Sequence, residues 1–217
     1  MRCAEIVSVL LILSSIPGWM PEPRLTRDAF VPPAVTSPAA RELIVPFAVS
    51  FDGAPPDSYV TEAAFTSDRD GTMTLMLEPA GRAWIVPLHA GKMFVSHDLV
   101  WDAYQVQMSG WIHVSATVPV RVGAALVNRG RHRSTEIPIY SDVPPLPRKL
   151  SGGEKLWLLN ASMHAAEVTV NGAAVALKAY ELRSLAAAPE TTIEGTASVL
   201  PFTSQKLPDG NTRFVWP

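Results

Sequence analysis

Between Gly110 and Asn128 the chain reads GWIHVSATVPVRVGAALVN, and its apolar residues recur at every second position. Ile112, Val114 and Ala116 alternate with Trp111, His113 and Ser115. Val118, Val120, Val122, Ala124 and Leu126 then form a second apolar row against Pro119, Arg121, Gly123 and Ala125. Successive side chains of a strand point to opposite faces, so one apolar row at period two marks a half-buried strand and argues against a helix. Valine is stiff at χ1 and suits a pleated surface. Pro119 donates no backbone hydrogen bond, which places it at a strand start or on a sheet edge. The stretch therefore predicts two strands joined by a tight turn, with the valine row in the core, and a charge at Val122 should hurt far more than one at Arg121.

The same logic runs through the chain, because its 217 residues hold 20 prolines, nearly double the average usage of about 5%. Prolines scattered between apolar runs suit short strands and loops and oppose long helices. Leu43–Phe51, LIVPFAVSF, is apolar on both faces, as in a strand sandwiched within a core. Strand-like runs follow at Tyr59–Thr66, at Met73, Leu75 and Leu77, at Trp84, Val86 and Leu88, and at Met93–Val95, with Asp70-Gly71 a hairpin signal. His97–Tyr104, HDLVWDAY, suits one or two helical turns closing an end of the sheets. Later strands are expected at Glu136–Tyr140, Leu156–Leu159, Ala179–Leu185, Ala197–Phe202 and Thr212–Trp216. Asn171-Gly172 is the clearest hairpin turn, since both residues tolerate positive φ; it pairs Val170 with Ala173 and Val168 with Val175.

Arg2 precedes the apolar run Ile6–Ile16, a pattern of secretory signals and too short for a comfortable membrane span of about 20 residues. Export by a cleaved signal is expected, an uncleaved anchor or a short buried strand being the alternatives. The one cysteine, Cys3, lies in that segment, so its removal would leave a chain with no disulfide, CxxC motif or cysteine-ligated zinc. The expected organisation is a signal peptide or N-terminal anchor over 1–20, a Pro-rich linker over 21–42, a first β-sandwich unit over 43–150, and a second, shorter β unit over 151–217. The two halves order their parts alike, which suggests a degenerate repeat; one fused sandwich is the alternative.

The phrases LWLLN (Leu156–Asn160), EVTVNGAAVALKAYELRSL (Glu167–Leu185) and the Gly110–Asn128 stretch resemble β-sandwich repeat modules of secreted bacterial surface proteins. In those modules a strand ending in Asn leads to a V-x-V hairpin. The likeness covers roughly residues 59–128 and 156–185 and departs at Leu126-Val127, where an aromatic is expected before Asn128. It implies an antiparallel, immunoglobulin-like β-sandwich that is not catalytic.

Function-bearing patterns are sparse. Net charge is −2, with no electrostatic footprint for nucleic acid. The five histidines show no HExxH or paired spacing; His97-Asp98 with His89 would be the nearest approach to a metal site, though turn residues fit them better. There is no G-x-S-x-G elbow and no Gly-rich phosphate loop. Asp98 and Asp102, four apart, would share a helix face, as a glycosidase pair needs, or simply lie in a solvated end loop. Trp101 and Tyr104, with Trp84 and Trp111, would form a sugar-stacking platform if exposed, or pack between sheets if not. Arg129, Arg131, His132 and Arg133 make a basic loop able to meet an acidic partner, or merely a solvated loop. No cofactor or metal is expected. The leading expectation is a non-enzymatic, exported structural or interaction module of a bacterial envelope, secreted, periplasmic or at the cell surface, recognising a protein or polysaccharide through loops and sheet edges. It would bind no nucleic acid and meet the membrane only through an uncleaved N-terminus. A carbohydrate-binding module and a small secreted hydrolase using His97 are the alternatives.

Overall fold

The computed structural model describes residues 31–53, 57–144, 146, 148–195, 198–209 and 212–216. The expected signal segment over 1–20 lies outside the described residues. Strands β1 (Ala40–Asp52), β2 (Ser58–Thr66), β3 (Gly71–Glu78), β4 (Arg82–Leu88) and β5 (Met93–Ser96) lead to a short helix α1 (Leu99–Tyr104). Next come β6 (Met108–Asn128) and β7 (Arg133–Ile137), with a 3-10 turn at Arg129–Arg131 between them. After a proline-rich passage follow β8 (Arg148–Ser151), β9 (Lys155–Asn160), β10 (Ala166–Val170), β11 (Ala173–Leu177) and β12 (Leu182–Ala186). The chain finishes with β13 (Glu190–Gly195), β14 (Val199–Lys206) and β15 (Thr212–Val215). The fold is all-β and its pairings are antiparallel.

The alternating stretch is one strand, not the expected hairpin: β6 runs unbroken for 21 residues. Its valine row is nonetheless core, with Val120 and Val122 fully buried, Ala124 and Leu126 nearly so, and Arg121 exposed. No turn forms at Thr117-Val118 because neither residue suits the positive φ of a two-residue hairpin turn. Instead the Thr117 hydroxyl accepts from the Thr72 amide at 3.0 Å and the strand bulges there. The pairing with β1 jumps from Glu42–Ser115 to Ala40–Val120 across the bulge, which absorbs Pro119.

This bulge lets β6 change partners. Its first half pairs with β1 and β3, its second with β2 and β7. Since β1, β2 and β6 each pair with the other two, the seven-stranded sheet folds back on itself about β6. Leu43 and Val45 of β1, Phe65 of β2, Leu75 of β3, and Ile112 and Val122 of β6 meet in the fold's interior. Buried Pro46 sits at the second irregularity of β1, between Val45 and Ala48, where no ladder donor is required. The expected Asp70-Gly71 hairpin is also corrected. β2 pairs with β1, β5 and β6 while β3 pairs with β4 and β6, so this turn carries the chain from one group of strands to the other. The end of the Pro-rich segment lies against β6: the Ser37 amide donates to the Val122 carbonyl, and the Val122 amide donates to the Ser37 hydroxyl at 2.7 Å. A methyl group at Gly123 would overlap the Ala34 carbonyl of this strap.

The later residues form two four-stranded sheets, ordered β11-β10-β13-β8 and β12-β9-β14-β15. The Asn171-Gly172 hairpin has the expected register, Val170 opposite Ala173 and Val168 opposite Val175, with φ of 50° and 83° at the turn. Between these sheets Leu156, Leu158, Val168, Ile193 and Val199 pack together. The other face of the second sheet packs on the seven-stranded one through Phe202 and Phe214. Trp111 also bridges, clustering with Leu159 and Leu200. The sheets divide between Ile137 and Arg148, while side-chain packing continues across that division.

Candidate functional site

Helix α1 forms because Asp98 caps it: its carboxylate accepts from the Trp101 amide at 3.1 Å and from the Ser50 hydroxyl at 2.9 Å. Asp102 accepts from the Ser96 hydroxyl at 2.7 Å and from the Asp98 amide. Both carboxylates thus hold the helix to β1 and β5. Burial pushes the Asp98 carboxyl above its ordinary value, against the opposing pull of the Trp101 amide and the Ser50 hydroxyl. Asp98→Ala should cost about 1–2 kcal/mol, and Asp98→Asn clearly less because the amide oxygen still caps; thermal melts of the two variants check this.

The expected aromatic platform does not form. Trp101 is 43% exposed, but Tyr104 is 8% exposed, and its hydroxyl donates to the Leu75 carbonyl at 2.8 Å. The helix buries Leu99, Val100 and Tyr104 together, and burial raises the phenol's pKa. Trp111 is buried as well, and half-buried Trp84 packs edge-on against Phe94.

The basic loop is partly committed to bracing the fold. Arg129 donates to the His97 carbonyl at 2.7 Å. Arg131 pairs with Asp57 at 2.7 Å and reaches the Asp209 carbonyl. Arg133 opens β7 opposite Asn128, exposed to solvent. Asp57 also accepts from the Asn128 side chain at 3.0 Å and lies 3.8 Å from the Lys206 ammonium. These partners, the Arg131 hydrogen bond first, hold its carboxyl below the ordinary value of 3.8. A lowered carboxylate stabilises the fold fully above its unfolded pKa, and that contribution is lost as pH falls through the folded pKa. Asp57→Asn should therefore lower Tm at neutral pH, with the two melting curves converging in acid.

The structure brings together a set of residues that no single stretch announces. A half-open groove of about 520 Å³ lies between the seven-stranded sheet and the β9-β14-β15 face. Phe47, Val49 and Phe51 of β1, Tyr59 of β2 and Leu126 of β6 line one side; Trp157 and Phe214 line the other. Phe47 meets Trp157 edge-on at 5.4 Å, and Trp157 in turn stacks with Phe202. Phe51 is 52% exposed, so the aromatic lining reaches solvent. Lys155, Lys206 and Glu154 also border the groove. Its volume lies within the range of small-molecule pockets, and an apolar lining with few polar groups is their usual composition.

A second cleft of about 260 Å³ contains His113 and Glu42, whose Nε2 and carboxylate oxygen are 2.7 Å apart, with Ser141 and Ser198 on its walls. Ser115 also donates to Glu42, at 2.8 Å. A hydrolytic triad needs the imidazole between hydroxyl and carboxylate, so that it can take the hydroxyl's proton. Here the carboxylate lies between the other two, which leaves the serine unactivated. His89 approaches Asp70 only at 3.9 Å, on the surface. Among the described residues no three His, Cys, Asp or Glu side chains are grouped as metal ligands, and no helix is long and apolar enough to cross a membrane.

Compared with family models, curated proteins and solved structures, the chain has no match.

Proposed function

We propose that the chain is a non-enzymatic binding module, exported to a bacterial envelope, that recognises its partner through the groove between β1, β2 and β6 on one side and β9, β14 and β15 on the other. One observation carries the reading: an aromatic-lined groove that stays half-open, with Phe51 more than half exposed at its edge. Solvent-facing aromatic rings in a concave setting cost free energy unless something covers them, and they are the side chains that dominate recognition. Export rests on the Ile6–Ile16 run behind Arg2, and the envelope on the likeness to secreted surface modules.

A photo-crosslinking residue at position 51, with one at exposed Ala174 on β11 as the control, tests the reading. Adducts with envelope components are expected at 51 and not at 174. Equal labelling at both positions, or none at 51, would sink it.

A further inference from the structure

The groove is polarised along its length. Cross-strand partners share a face, and so do residues two apart on one strand. Lys155 lies opposite Ser204, and Trp157 opposite Phe202, so Lys155, Trp157, Phe202, Ser204 and Lys206 all point from the same face of the sheet. Trp157 and Phe202 stand at one end of that face and Lys206 at the other, with Lys155 and Phe214 flanking Ser204 between them. Leu156 and Leu158 point the opposite way, into the core between the two later sheets.

The apolar end offers a ligand few polar contacts. The Ser204 hydroxyl already accepts from the Trp157 indole at 2.8 Å, and Phe47, Val49, Leu126 and Phe214 are buried carbon. A ring of sugar hydroxyls placed there would lose water without gaining partners. At the charged end Lys155, Lys206 and Glu154 border the groove, and Lys206 lies 3.8 Å from Asp57, which Arg131 also binds at 2.7 Å, so three cations meet two carboxylates. The excess is a single positive charge.

We infer that the groove binds an anionic amphiphile, an apolar chain lying on the aromatic floor with a carboxylate or phosphate head of about one negative charge held by Lys155 and Lys206. This rests on the groove being the binding surface. Such a molecule comes either as a free fatty-acid-like compound or as a lipid in a bilayer.

Calorimetric titration of the full chain with dodecanoate below its micelle concentration tests the inference. One-to-one binding is expected, about tenfold weaker for decanoate, because each buried methylene adds roughly a threefold to fourfold gain. Dodecyltrimethylammonium should bind at least tenfold more weakly than dodecanoate. Lys155→Glu combined with Lys206→Glu should cut dodecanoate affinity at least tenfold. So should Phe51→Glu, a change at an exposed position that should leave Tm within a few degrees. Co-sedimentation with phosphatidylglycerol vesicles, lost in the double lysine variant, marks a bilayer lipid as the source; dodecanoate binding without sedimentation marks a free amphiphile. Dodecanoate that binds no better than the cation, or binds equally well to Phe51→Glu, overturns the inference. If neither dodecanoate nor vesicles bind while position 51 still crosslinks specifically, the ligand class is wrong and the groove stands. Loss of both removes the binding site too.

Discussion

Val122→Asp should abolish folding, whereas Arg121→Asp, one residue away, should leave Tm within a few degrees of the parent. Val122 is fully buried among the strands that meet around β6, opposite Phe65 on β2. An ionised carboxylate there has no partner, and the effective cost of such burial is several kcal/mol, a large part of a domain's total stability of about 5–15 kcal/mol. The charge would also disturb the two hydrogen bonds between Val122 and Ser37 that hold the strap. Arg121 points to solvent from the same strand, where substitutions cost about 0.5 kcal/mol or less. Val122→Ala, losing roughly 1.5–3 kcal/mol, should still fold, and this separates loss of packing from burial of charge. Soluble yield and far-ultraviolet circular dichroism of the three variants decide the matter. A folded Val122→Asp would mean that this row of β6 is not core.

Trp111→Ala is the second large effect. Trp111 is 1% exposed and lies on the opposite face of β6 from Ile112 and Val114, in a cluster with Leu159 and Leu200. Its indole N–H donates to the Tyr180 carbonyl at 3.0 Å, tying β6 to the loop before β12. Truncating a buried tryptophan to alanine costs about 3–5 kcal/mol, which for a chain of this size lowers Tm by roughly 6–20 °C. Trp111→Phe keeps much of the ring contact and strands only the Tyr180 carbonyl, so its cost should be about 1–3 kcal/mol. Hydrogen exchange adds a regional readout: amides of β9 and β12 should lose protection in Trp111→Ala more than those of β3 and β4. Uniform loss would show that the tryptophan does not couple the sheets.

Elements decided by local chemistry were legible in the sequence. The Asn171-Gly172 turn fixed the register of β10 and β11 to the residue, because a two-residue turn leaves no slack. Alternation assigned the buried row of β6 correctly, since that row depends only on the strand's own pleat. It did not decide whether the chain reverses at Thr117, because a bulge and a turn interrupt the pattern alike. Asp70-Gly71 misled for a related reason: a dipeptide that permits a hairpin does not compel its flanking strands to pair. β13 was missed, although Thr191 and Ile193 alternate correctly with Thr192 and Glu194; its run is too short and polar to stand out beside Pro189. The groove was invisible. Phe47, Tyr59, Trp157 and Phe214 come from four strands scattered along the chain, and only packing makes them neighbours. Trp101 and Tyr104 drew notice through closeness in sequence, yet one short helix sends them into different environments.

The sharing of β6 between groups of strands also sets an order of events. β1 touches β2 at only three paired positions, and the longer ladders of both strands are with β6. As the chain emerges during synthesis, β2 can meet β5 at four positions, but most of β1 has no partner until β6 has followed. A closed intermediate made of the first strands alone is not available to this topology. Local hairpins such as β3–β4 can form early, but the seven-stranded sheet closes only when one strand supplies the missing edge to four others.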